Sequence, residues 1–72
     1  MDTTNIKIIC FLKNIINQRG TKYTFISERT EIDYQRIMRI FNQNATISGS
    51  ELLSLCKVLE VKQEDLMSLL DS

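Results

Sequence analysis

Seventy-two residues, nine Lys and Arg against nine Asp and Glu, and 43% hydrophobic side chains suit one thin-cored globular domain, expected over residues 1–72. That balance excludes a disordered chain, and no apolar run approaches the length of a membrane span. Histidine is absent, and Cys10, Cys56, Gly20 and Gly49 are the only residues of their types, which excludes His-based catalysis, glycine-rich phosphate loops and metal sites needing three or four ligands.

Apolar residues recur at helical spacing along almost the whole chain, with polar breaks every ten to fifteen residues, and this predicts five helices. The first begins near Thr3 or Thr4, either of which can cap it. It runs through Ile9, Leu12, Ile15 and Ile16 to Arg19, where Gly20 ends it. Ile6, Ile8 and Phe11 widen its apolar face, and Cys10 is expected, like Cys56, to be a small buried side chain. The second helix spans about Lys22 to Thr30, with Ile26 and Phe25 inward and Ser27 small enough for close packing. Glu31-Ile32 is the turn.

Asp33 is placed to cap a third helix through Phe41. Ile37, Ile40 and Phe41 at i, i+3 and i+4 form its buried stripe, which leaves Gln35, Arg36, Met38 and Arg39 on other faces. Asn42 to Thr46 reads as a polar loop. Ser48-Gly49-Ser50-Glu51 is a capping box, and the fourth helix after it is expected to bury Leu52, Leu55, Cys56 and Leu59. Val61 closes the connection to a fifth helix, from about Gln63 to Leu70, which buries Leu66 and either Leu69 or Leu70.

Two further signals concern partners. Residues 1–47 carry seven positive against four negative side chains, a net of +3, and residues 48–72 carry two against five, a net of −3. That polarity can turn one side of a small domain toward phosphates. The C-terminal Leu66-Met67-Ser68-Leu69-Leu70 is more apolar than one buried stripe needs, so Met67 and Leu70 are a candidate two-fold interface or a completion of the core. No signal-peptide pattern is present, and a cytoplasmic location is expected.

The order of these elements resembles the Cro/repressor helix-turn-helix family over roughly residues 9–70. The joint spacing of Ile26, Ser27, Ile32, Ile37, Ile40, Leu52, Cys56, Leu59, Val61 and Leu66 carries the likeness. Two departures are Glu31 and Glu60, where the family usually has glycine. A third is Ile16 with Phe41, standing where many members pair an arginine with a glutamate. Losing one partner would strand a buried charge, whereas replacing both by apolar groups is often neutral or stabilising.

The resemblance implies an all-α, five-helix domain whose second and third helices form the helix-turn-helix. It implies a non-enzymatic regulator that needs no cofactor and binds double-stranded DNA, as phage and mobile-element repressors do. The residues alone leave Gln35, Arg36 and Arg39 as an ordinary solvated face; the family frame makes Tyr34, Gln35 and Arg39 base-facing. Gln35 suits adenine and Arg39 guanine. Tyr34 can touch a thymine methyl or a phosphate, or lean onto the core. Arg36 is expected on a base or a phosphate.

Phosphate contacts are expected from Lys22, Tyr23 and Thr24 at the start of the second helix, where amide donors point outward. Asn44 and Thr46 are expected to add two more. A homodimer on two half-sites completes the picture. The rival reading is a protein-binding module on the same scaffold, an antirepressor or inhibitor, favoured by the zero net charge and the apolar surplus.

Overall fold

The computed structural model describes residues 3–71, the Leu70 side chain excepted. Five helices follow one another: α1 (Thr4–Arg19), α2 (Tyr23–Thr30), α3 (Tyr34–Gln43), α4 (Gly49–Val58) and α5 (Gln63–Leu70). The first four bury residues of the face that their apolar spacing marks. Ile8, Ile9, Leu12 and Ile16 of α1, Ile26 of α2, and Ile37, Ile40 and Phe41 of α3 meet Leu55 and Leu59 in one cluster. α2 packs on α3 and α4, while α1 packs on α3 and α5. Ile16 and Phe41 are both 2% exposed.

One left-handed residue stands in each of the four connections: Gly20 (φ 66°), Glu31 (φ 63°), Asn44 (φ 54°) and Glu60 (φ 56°). Such a residue frees the next amides to turn back on the helix just ended. Gly20 donates to the Asn17 carbonyl at 3.3 Å and Thr21 to that of Ile16 at 3.0 Å. The same two-bond pattern closes α4, from Glu60 to Lys57 at 3.4 Å and from Val61 to Cys56 at 2.8 Å. Glu31 and Glu60 therefore hold the backbone that glycine would hold more easily, at a cost of about 1 kcal/mol each.

The caps divide. Ser48 and Glu51 make the full capping box. Thr3 and Asp33 occupy N-cap positions, but neither side chain bonds its helix. α3 continues through Asn42 and Gln43, where a loop was expected, until Asn44 turns it off.

Several burial expectations change as well. Phe25 is 44% exposed rather than inward, with the Arg29 guanidinium 5.1 Å above its ring. Leu52 and Cys56 are half-buried, and Cys10 is exposed, so only the second thiol is partly withdrawn from water. That burial pushes the Cys56 thiol pKa up. In α5, Leu66 and Leu69 are the half-buried residues.

Candidate nucleic-acid interface

The α2–α3 unit is fixed from within. Ile26, Ile37 and Ile40 are each 0% exposed, so the two helices cannot move independently without opening the core. The turn between them is stitched by side chains. Ser27 Oγ donates to the Ile32 carbonyl at 2.6 Å, and Thr30 Oγ1 donates to that of Ile26 at 2.7 Å. Thr30 Oγ1 also accepts the Ile32 amide at 3.2 Å. These bonds tie the last turn of α2 to the residue that leads into α3.

With one face of α3 committed to the core, Gln35 and Arg39 project from the opposite side. They lie one turn apart, at i and i+4, and both are exposed. Asn42 shares that side, a residue that reading 42–46 as a loop had left out. Its Nδ2 donates to Met38 Sδ at 3.5 Å. Tyr34, 43% exposed, stands at the start of the helix on the flank of the buried stripe.

Arg36 occupies the other flank, and the structure gives it partners within the chain. Its Nε donates to Glu51 Oε2 at 2.8 Å, and Nη2 donates to Glu51 Oε1 at 2.8 Å and to the Thr46 carbonyl at 2.6 Å. The guanidinium holds the Glu51 carboxyl far below the ordinary carboxylate range, at about 2. The expectation of a base or phosphate contact from Arg36 thus meets a guanidinium whose inner edge is already occupied. Local spacing could not reveal this pair, because its members lie fifteen positions apart.

The two segments expected at phosphates flank the end of α3. Lys22, exposed, is the N-cap of α2, and Thr24 is exposed one residue inside the helix. Tyr23 is half-buried, its ring stacked on Phe41 with centroids 5.5 Å apart and planes at 28°. Burial raises its phenol pKa, so it remains a neutral donor. This stack sets the start of α2 beside the last turn of α3. Asn44 and Thr46, both exposed, leave that same turn.

Asn5 of α1 grips the loop. Its Nδ2 donates to the Asn44 and Ala45 carbonyls at 3.3 and 3.2 Å, and its Oδ1 accepts the Ile47 amide at 2.9 Å. Lys13 Nζ donates to the Phe41 carbonyl at 3.2 Å and is drawn toward that helix end, as cations are.

Away from this face, a groove between α4 and α5 is lined by Leu52, Leu53, Cys56, Val61, Leu66 and Met67. Met67 is 49% and Leu53 74% exposed. Leu53 went unnoticed in the sequence because its spacing merges with that of the buried leucines. The Leu70 side chain, named with Met67 as a candidate interface, lies outside what the structure describes.

Among the described residues, no helix is long and apolar enough to cross a membrane. Neither the curated proteins nor the solved structures contain a match to the chain. A family model described as the Cro/C1-type helix-turn-helix DNA-binding domain matches residues 12–72. That span takes in all of α2 to α5 and the second half of α1, and the chain belongs to the Cro/C1-type helix-turn-helix DNA-binding family.

Proposed function

We propose that the chain is a sequence-specific transcriptional repressor, a single domain that occupies a two-fold operator in the cytoplasm as a homodimer and excludes polymerase. The observation that carries this reading is the exposed Gln35–Arg39 pair on the outer side of α3, opposite three fully buried residues. A helix so held fits the major groove, where glutamine pairs with adenine and arginine with guanine. Tyr34 flanks the readers. Lys22, Tyr23, Thr24, Asn44 and Thr46 take phosphates on either side of the last turn of α3. Met67, with the groove between α4 and α5, joins the two subunits away from the DNA. Catalysis has no part in this reading.

The test is substitution at the reading face. Gln35→Ala and Arg39→Ala should leave the melting temperature nearly unchanged, because both side chains are exposed. Each should cost about 1–3 kcal/mol of specific binding and relax preference at one base position per half-site. Lys22→Ala should instead weaken all sequences alike and lower the log–log salt slope by about one. Full regulatory activity in the Gln35→Ala/Arg39→Ala double variant would replace this reading with the protein-partner one.

A further inference from the structure

We infer that Arg36 and Glu51 form a clamp that positions the 44–48 loop against α3, so that Arg36 serves DNA binding without itself being a reader of DNA. This inference rests on the DNA-binding reading and deepens it. Three of the five N–H donors of Arg36 are already used within the chain, two on Glu51 and one on the Thr46 carbonyl. Glu51 is engaged from two directions. Its Oε1 also accepts the Ser48 amide at 3.0 Å, and Ser48 Oγ accepts the Glu51 amide at 3.2 Å. The carboxylate therefore welds the cap of α4 to the flank of α3, with the loop between them.

Asn5 grips the same loop from its other end. Between them, Asn5, Arg36 and Glu51 hold a backbone group of every residue from 44 to 48: three carbonyls, then two amides. A five-residue connection on the surface would ordinarily be among the softer parts of a domain. Here it is pinned at each residue, and the two polar residues proposed for phosphate contact, Asn44 and Thr46, lie within it. Fixing them relative to Gln35 and Arg39 sets the register between backbone contact and base contact. The planar arginine fork supplies this geometry, because it can hold a carboxylate with two bonds and a carbonyl with a third.

A direct phosphate contact and a clamp differ in the sign of one effect. Removing the negative charge of Glu51 should favour DNA if charge alone matters, and should weaken specific binding if the pair positions the loop. Glu51→Gln retains a residue that suits the capping box, so the fold should survive, and melts recorded alongside verify that it does. Arg36→Lys keeps the positive charge and removes the fork.

Under the clamp, each substitution lowers affinity for the selected operator by roughly tenfold, within the usual range of coupling between sites. The salt slope stays unchanged, since Asn44 and Thr46 carry no charge, and the double variant loses no more than either single. Amide exchange at Ile47 and Ser48 quickens in both. If Glu51→Gln binds the operator as tightly as wild type or more tightly, the clamp is overturned. If Arg36→Lys retains full affinity while Arg36→Ala lowers the salt slope by about one, Arg36 is a phosphate contact instead. A wild-type protein that selects no operator from random DNA sinks the DNA-binding reading itself, and the clamp's role in it.

Discussion

α3 and α5 are similar in length, 10 and 8 residues, and both present apolar residues at helical spacing, yet the fold holds them differently. α3 buries three side chains completely, and its flank is tied to α4 by Arg36. None of the described side chains of α5 is fully buried; Leu66 and Leu69 rest half-covered beside the core, and Met67 faces out. A helix gripped on one face can offer the opposite face as a rigid reading surface, since its side chains are displayed from a fixed backbone. A helix resting on shallow packing has apolar area to share. It suits association, where a second surface completes the burial.

The contrast can be broken most forcefully in the core. Ile37→Ala should cost about 2–5 kcal/mol, as for other fully buried aliphatic residues. In a domain this small that is at least ~8 °C of melting temperature. Leu66→Ala should cost well under half as much, and equal losses in thermal melts would erase the distinction between the two helices.

Next in size is Met67→Glu. It should leave the melt of the monomer nearly unchanged and raise the dissociation constant of the proposed dimer about tenfold or more, equivalent to ~1.4 kcal/mol, as read by sedimentation equilibrium. An unaltered association constant would move the interface elsewhere.

The smallest effect is acid sensitivity at the flank of α3. Glu51 titrates at about 2 in the folded chain against an ordinary 4.5. The stability it contributes is therefore fully present above pH 4.5 and lost as pH falls toward 2. Glu51→Gln should flatten that part of the pH–stability curve, lying below wild type at neutral pH and converging with it toward pH 2. A parallel slope in the variant would show that the pair does not stabilise the fold.

What could be read from the residues follows from the range of the forces involved. Periodicity locates helices because side chains three and four apart share a face, and α2, α4 and α5 fall close to their expected limits. Glycine being usual in the family at the positions of Glu31 and Glu60 was the signal for the left-handed backbone found there, and it left that conformation open.

Adjacent apolar residues defeat the same logic. Phe25 and Ile26 point about 100° apart on a helix, and only the location of the core decides that Ile26 turns in while Phe25 lies under Arg29. Asn42 and Gln43 carry no apolar signal, so the last turn of α3 could not be seen. The grips of Asn5 and Arg36 on the 44–48 loop join residues far apart in sequence, where no local pattern reaches. The proposed reading residues Gln35 and Arg39 were visible as exposed polar positions, whereas the bonds that hold the loop beside them were not.

The four single left-handed residues that join the helices have a kinetic consequence. A connection this short lets α2 dock on α3 without closing a large loop, and helical domains with local contacts fold in about microseconds to milliseconds. The contacts of Asn5 with the 44–48 loop span 39 to 42 positions and, like the packing of α1 on α5, join distant parts of the chain. Asn5→Ala should accordingly quicken unfolding and leave the folding rate nearly untouched, as for contacts made after the transition state. The chain would then set α2 on α3 first, and the loop beside its proposed reading face last.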